Sequence, residues 1–375
     1  MINCTVKLKP TAGQERQLRR WLWHLTAVWN WSVRKIELDA ADRVYHSKWE
    51  IKAMLNGHGR RMGIPVDVLT ETAADAHRAW RDCFKGIRRR PRLKGMRRRL
   101  NSMVFRHGRY VKPVGRRIAV GAFGSFAFHK QAIPVGKIKR LRVVRRASGW
   151  YGVLTIDADP LPIAPGAGEV GIDPGFSNLL TLSTGEKIDR PTEIARITVR
   201  LAQAQRGRRR RLAARLLERT ASQRRNRNHQ LSRRLVSENK LIAWSKDRHS
   251  AIAHRFGKSV QSSGHGQLRQ MLAYKCRPGG AQFIEVASRN STRACSACSD
   301  LTGPTGWRGL KVRQWVCPTC GVEHDRDVNA AVNTLNAGLG ISLESGRKAA
   351  SGIATTARRR RSLSIEETPA ERAQS

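Results

Sequence analysis

Two Cys-x-x-Cys pairs, Cys295/Cys298 and Cys317/Cys320, constrain this chain more than any other feature of its sequence. Each pair presents two thiolates from one tight knuckle, and two such knuckles close a tetrahedral shell around a single Zn²⁺. The 18 residues between the pairs fit a β-hairpin ribbon. With sulfur in all four positions no coordination site is left open to substrate, so the expected role of the zinc is structural. Of seven cysteines, the other three (Cys4, Cys83, Cys276) are scattered without pairing logic. That usage suits a reducing compartment better than a disulfide framework.

The ribbon runs straight into Asp325-Arg-Asp327-Val-Asn-Ala-Ala331, an acidic helix start. Far upstream, Gly168-Glu-Val-Gly-Ile-Asp173-Pro-Gly reads as a short apolar strand that delivers a carboxylate at Asp173, then a turn, then a second strand through Leu179 to Leu182. Taken singly, Asp173 reads as a turn residue before Pro-Gly and Asp327 as a helix N-cap. Taken together they resemble the way RNase H-like nucleases present their carboxylates. Phosphodiester cleavage by that route needs several carboxylates converging on two divalent ions, because the attacking and the leaving oxygen must both be stabilised. Asp173 and Asp327 are candidate Mg²⁺ ligands of this kind.

The chain has 375 residues, enough for two or three domains with their own cores. Its 72 Lys and Arg stand against 28 Asp and Glu, a formal net charge of +44. A surface that basic repels itself unless polyanions are bound, so the expected partner is nucleic acid, and more of it than a short duplex site. No signal peptide and no bilayer-length apolar run is visible, so the expectation is a soluble cytoplasmic protein with no membrane partner.

Along the chain, residues 2–10 read as a strand ended by Pro10, and Thr11-x-x-Gln14 opens a helix as a capping box. Leu18, Trp21, Leu22, Leu25, Val28 and Trp29 recur at helical spacing, as a core stripe or a base-stacking surface. A second helix is expected from Val66 to Phe84, with Leu69, Ala73, Ala76, Trp80 and Phe84 on one side. The basic segment Arg88-Arg89-Arg90-Pro91-Arg92-Leu93-Lys94, with 97–99 after it, is too polar for a core and reads as a phosphate-contacting stretch or a solvated linker. Short strands follow at 103–106, 118–120, 126–129, 138–145 and 150–156, which with the first strand suggest a small β-barrel. Residues 194–235 read as a long Arg-rich helical region containing Arg208, Arg209, Arg210 and Arg211, with Leu201, Leu212, Leu216, Leu231 and Leu235 as its buried stripe. Lys240 to Trp244 reads as a buried strand, 267–274 as a short helix and 283–286 as another strand.

This order of features resembles the TnpB proteins of insertion sequences, relatives of the type V CRISPR nucleases. The resemblance is carried by residues 10–14, Trp29-Asn30-Trp31, Pro91-Arg92-Leu93-Lys94, residues 136–139, Gly171-Ile172-Asp173-Pro174-Gly175, residues 231–234, the four cysteines and Asp325 to Ala331. It implies an α+β multidomain fold: a wedge-type β-barrel from residues 1–10 and 97–165, an inserted helical recognition domain over 11–96, and an RNase H-like (RuvC) α/β domain over 166–340 with a zinc ribbon at about 288–326. Residues 341–375 are expected to be a disordered basic and polar tail. The resemblance also implies a guide RNA and a target double-stranded DNA as partners, Asp173 and Asp327 as the first and third catalytic carboxylates, and Arg88 to Lys94 with Arg208 to Arg211 along the RNA backbone.

One position departs from the family. Where DNA-cutting members carry a glutamate at the end of the middle strand, this chain has Leu241-Ile-Ala-Trp-Ser245-Lys-Asp247. A serine hydroxyl is neutral and a weak Mg²⁺ ligand. Two residues could substitute: Asp247, a strand step of roughly 6 to 7 Å further on, or Glu285 on the strand before the ribbon, although relatives with a relocated glutamate carry it nearer Ser288. The sequence therefore leaves three readings: an RNA-guided DNA-binding protein with an impaired nuclease centre, an active Mg²⁺-dependent endonuclease completed by a substitute acid, and a generic basic zinc-ribbon RNA-binding protein.

Overall fold

Pro10 ends the first strand because its ring carries no N–H for a ladder, and Thr11 opens the helix after it. The Thr11 hydroxyl accepts from the Gln14 backbone N–H at 3.3 Å while the Gln14 side chain accepts from the Thr11 N–H at 3.0 Å, the reciprocal capping box expected from the sequence. The computed structural model describes residues 1–341 apart from 96–97, 107–110, 130, 160, 176, 191, 247–262, 306–308 and 310. The chain divides into two units, residues 1–162 with 192–227, and residues 163–191 with 228–375.

The first unit holds β1 (Ile2–Lys9), α1 (Ala12–Ala41), α2 (Lys48–Ala53), α3 (His58–Met62), α4 (Val66–Phe84), β2 (Ser102–Phe105), β3 (Val111–Val114), β4 (Arg117–Val120), β5 (Ser125–Phe128), β6 (Lys137–Arg146) and β7 (Gly149–Asp157). Its seven strands pair antiparallel in the order β2-β6-β7-β1-β5-β4-β3. The expected barrel does not close: β2 and β3 are the two edges, and β3 lies against β6 without a ladder between them. Both edge strands are only four residues long, and Pro113 removes a donor from β3. The sheet buries Val6, Phe126, Leu141, Leu154 and Ile156 in one cluster with Trp21, Leu25 and Leu69 of the helices. The aromatic stripe of α1 is thus core. Phe84 departs from its expected place in that core and is 55% exposed.

The expected single helical region is two helices, α5 (Glu193–Arg206) and α6 (Arg210–Glu238). Between them Arg208 takes φ 51, and the Arg209 N–H turns back to the Ala204 carbonyl at 2.8 Å, a left-handed helix stop.

The second unit carries β8 (Gly168–Pro174), β9 (Asn178–Leu182), β10 (Lys187–Asp189), β11 (Asn239–Lys246), α7 (His265–Gly279), β12 (Gln282–Ala287), β13 (Gln314–Val316), β14 (Glu323–Asp325) and α8 (Arg326–Gly338). Five strands pair in the order β10-β9-β8-β11-β12, with β8, β11 and β12 parallel. Val170, Ile172, Ile242 and Trp244 face a core completed by Leu235, Leu268 and Leu272. The other face takes α8. A Cβ on Gly171 would fall 2.1 Å from the Ala331 carbonyl oxygen, and one on Gly338 would fall 2.6 Å from the Ala243 Cβ, so glycine at both positions lets helix and sheet approach this closely. The tail, 342–375, lies outside the described residues.

Candidate metal centre and carboxylate site

The four cysteines converge. Their sulfurs all lie within 4.8 Å of one another, with Cys295 and Cys320 at 3.6 Å and Cys298 and Cys317 at 3.7 Å. A tetrahedron with Zn–S bonds of about 2.3 Å has S···S edges of roughly 3.8 Å, so the cluster has the dimensions of a four-thiolate metal site. The β-hairpin flanks the second knuckle, β13 before Cys317 and β14 after Cys320, instead of filling the interval between the pairs.

Four neighbours that sequence reasoning missed support the cluster. The Thr302 hydroxyl lies 3.3 Å from the Cys317 Sγ, and that hydrogen bond draws the thiol pKa down to about 6. Cys298 goes the other way, to about 12: a hydrogen bond from the Asp300 backbone lowers it, but burial and the three neighbouring thiols outweigh that. His324, packed against Trp315 at a 34° tilt with centroids 4.8 Å apart, puts Nε2 3.0 Å from the Cys295 Sγ, and burial lowers its pKa towards the neutral form. Asn329 and Asn333 of α8, both buried, donate to the Ala294 carbonyl at 2.8 and 2.7 Å. The Ser296 N–H donates back to Asn329 at 2.8 Å. The only sequence signal for these two was their i, i+4 spacing on one helix face.

Asp325, not Asp327, is the N-cap of α8: its Oδ1 accepts from the backbone N–H groups of Asp327 and Val328, both at 3.1 Å. Burial would raise its pKa, but the hydrogen bond from Lys187 at 2.6 Å and the two cap amides hold it below the usual carboxylate value. Asp327, in the first turn, takes Arg313 instead, at 3.2 Å, and the same guanidinium donates to the Ser177 hydroxyl at 2.8 Å. Arg313 thereby ties Asp327 to the turn just beyond Asp173 on β8.

Strand parity places the rest. Gly171 and Ala243 are paired and both face α8, so Asp173 and Ser245, each two residues on, share that face. Continuing the register by one residue beyond Trp244 and Ile172 sets Ser245 beside Asp173. Ser245 is fully buried and its hydroxyl has no hydrogen-bond partner among the described residues. Glu285 pairs with Trp244 and so lies on the opposite face, where Arg269 of α7 donates to both its oxygens at 2.9 Å and Lys246 lies 3.6 Å away. The structure therefore brings Asp173, Ser245 and Asp327 to one face and leaves Glu285 on the other. Asp247 lies outside the described residues.

In the first unit, Arg88, Arg89, Arg90 and Arg92 are exposed and Lys94 half-buried. The segment is strapped to α1: Asn30 donates to the Lys94 carbonyl at 2.9 Å and accepts from its N–H at 2.7 Å, and the Trp29 indole donates to the Arg92 carbonyl at 3.1 Å. Arg88 is 3.7 Å from Asp82, and Arg90 pairs with Glu37. Arg208 to Arg211 are all exposed.

Two family profiles match, a helix-turn-helix domain of the IS605 OrfB type over residues 1–37 and a Cas12f1-like TNB domain over residues 265–334. The chain is TnpB-like. Two curated relatives agree. A "Putative RNA-guided DNA endonuclease" of Streptomyces pristinaespiralis is 35% identical over 212 residues, 52% of each chain. The "Putative RNA-guided DNA endonuclease InsQ" of Escherichia coli K12 is 24% identical over 320 residues, 76% of this chain and 78% of that one. The match thus spans about half the length of the first relative. Among solved structures, the cryo-EM Cas12f1–sgRNA–target DNA complex superposes with a TM-score of 0.54 at 12% identity, covering 85% of this TnpB-like chain and 82% of that one, which shows a shared fold. No described helix of the TnpB-like chain is long and apolar enough to cross a membrane.

Proposed function

We propose that this chain is an RNA-guided DNA-binding protein of the TnpB type whose RuvC-like nuclease centre is impaired. The observation that carries the reading is Ser245, a buried hydroxyl without a hydrogen-bond partner among the described residues, on the sheet face it shares with Asp173 under α8. A third carboxylate there would complete a metal-binding set with Asp173 and Asp327.

Each Mg²⁺ of a two-ion centre wants several charged oxygens in near-octahedral order. Among the described residues the donors are two carboxylates and one neutral hydroxyl, and Arg313 brings a positive charge onto Asp327. That set does not fit a two-Mg²⁺ centre, and no cleavage step is assigned to it. The cysteine cluster does fit Zn²⁺. The metal would be held by Cys295, Cys298, Cys317 and Cys320 and would supply folding energy to a ribbon that has almost no apolar core of its own.

The strand order β10-β9-β8-β11-β12, with carboxylates where β8 and α8 meet, supports an RNase H-like layout for the second unit. The guide RNA and the double-stranded DNA partner follow from the relatives' names and from the +44 charge. In this reading base pairing to the guide selects the DNA, while exposed arginines hold the RNA backbone.

The test is purification with RNA co-expressed from the flanking locus, then binding and Mg²⁺-dependent cleavage of a matched plasmid. Guide-dependent binding without a cut, unchanged by Asp173→Ala, is expected. Cutting that Asp173→Ala abolishes would overturn the impaired centre and favour an endonuclease. Binding of RNA with no guide-programmed DNA recognition would leave only a basic zinc-ribbon RNA-binding protein.

A further inference from the structure

The C-terminus of α1 closes in an unusual way. Arg43 occupies the left-handed position, φ 61, that glycine normally fills, and the Val44 N–H returns to the Asp39 carbonyl at 2.7 Å. This turn carries Tyr45 out over α4, where its ring meets Phe84 edge-on at 6.3 Å. Phe84 in turn stacks on Trp80 at 5.2 Å and 25°. Together they wall an open cavity of about 210 Å³, too small for a drug-sized ligand but with the volume to take one planar ring.

Two of the three aromatic walls are wasted on water: Tyr45 is 71% exposed and Phe84 55%. Trp80 is buried and fixed by its indole hydrogen bond to the Val33 carbonyl at 3.0 Å, so the floor of the cavity is rigid. The rim is basic. Arg81 and Lys85 line it, and the chain continues from there into Arg88, Arg89 and Arg90. The nearby carboxylates are already matched, Asp82 by Arg81 and Arg88 and Asp39 by Lys35 and His46, while Lys85 has no carboxylate in ion-pair range among the described residues.

Exposed aromatic rings beside a lysine with no carboxylate partner among the described residues select a ligand that is planar and aromatic at one end and anionic at the other. We infer that this cavity takes one unstacked nucleobase of a single-stranded nucleic acid, laid against the exposed rings of Tyr45 and Phe84, with the adjoining phosphates on Lys85 and the arginines that follow. Stacking gives the contact its preference for bases, and the cations give it affinity without sequence choice.

The test uses the full chain and two probes of equal charge, a single-stranded oligoadenylate of roughly ten nucleotides and its abasic counterpart. Loss of one base-stacking contact is worth about 5- to 100-fold in affinity. Tyr45→Ala and Phe84→Ala are therefore expected to weaken oligoadenylate binding at least fivefold, to leave abasic binding within twofold, and to leave the salt dependence unchanged. Tyr45→Trp should retain wild-type discrimination. A photo-crosslink from a thiouridine-substituted strand is expected in the peptides carrying Tyr45 or Phe84. Equal weakening of both probes, or discrimination untouched by either alanine variant, overturns the assignment. So does a loss of self-association in the variants with base discrimination intact, which would make the cavity a contact between copies of the chain. Neither probe needs a guide or a target, so failure here leaves the proposed RNA-guided function standing.

Discussion

Asn329 donates its side-chain amide to the Ala294 carbonyl at 2.8 Å, fastening the loop in front of Cys295 to the helix that carries Asp327 in its first turn. The metal knuckle and the carboxylate site are therefore one mechanical piece. Asn329→Ala would strand the Ser296 N–H and leave the Ala294 carbonyl to Asn333 alone. We expect it to cost about 1–2 kcal/mol in denaturant unfolding. Asn329→Asp keeps the acceptor for the Ser296 N–H and should recover only part of that loss.

Metal removal should act on the ribbon before the rest of the chain. Chelation, or Cys295→Ser, is expected to release one zinc per chain by elemental analysis and to free Trp315 from its packing against His324, read as a change in near-ultraviolet circular dichroism. The seven-stranded sheet should keep its far-ultraviolet signal. Retention of the Trp315 signal in the metal-free protein would show that the ribbon folds without the ion.

Ser245 gives a paired prediction. Ser245→Ala removes a buried hydroxyl that has no partner among the described residues and should be neutral or stabilising by up to about 1 kcal/mol. Ser245→Glu restores a carboxylate beside Asp173. It is expected to raise Mg²⁺-dependent cleavage on the order of 100-fold or more over the parent. A Ser245→Glu protein that binds its target and still does not cut would point to Arg313 on Asp327 as the remaining obstacle, to be tried as the double variant with Arg313→Ala.

Asn30 holds the Lys94 backbone from both sides. Asn30→Ala is expected to cost about 1–2 kcal/mol and to weaken RNA binding several-fold by letting residues 88–94 move. Because the arginines themselves remain, the dependence of affinity on salt should keep its slope. Neutralising Arg88 and Arg89 instead should flatten that slope.

Lys275 sets a pH signature. Burial, reinforced by Arg233, lowers its pKa to about 8, although its ammonium donates to the His229 carbonyl and the Ser232 hydroxyl, both at 2.7 Å. Its unfolded value is that of an ordinary lysine, 10.5, so between about 8 and 10.5 the unfolded chain holds the extra proton and stability rises with pH. The side chain is partly exposed and solvent screens it, so the rise should be about 1–2 kcal/mol. Lys275→Met should remove this segment of the pH–stability curve, as read by urea unfolding at several pH values.

Much of this molecule is legible one element at a time. The capping box at Thr11 and Gln14, the strand that carries Asp173 and the spacing of the four cysteines depend on neighbours in sequence, and hydrogen-bond chemistry within a few residues decides them. Elements with mixed signals were harder. Residues 194–235 read as a long helical region with no marked break, because their composition is uniform, yet the left-handed stop at Arg208 divides them. Phe84 has core spacing on α4, but it is the last residue of that helix and is covered only in part, by Trp80 and Tyr45.

The sequence by itself determined the basic charge, the thiolate set, the pair of aspartates and the missing glutamate, because these are matters of which atoms the chain owns. Only the tertiary structure decided which of those atoms share a face. Strand parity put Ser245 with Asp173 and Glu285 with Trp244, and a single residue of register would have exchanged the two faces. Likewise the cap at Asp325 left Asp327 to Arg313, and two asparagines one turn apart on α8 joined the metal knuckle to the carboxylates. Such pairings depend on which residues distant in sequence the packing of helix on sheet brings within about 3 Å, and no local pattern encodes that distance.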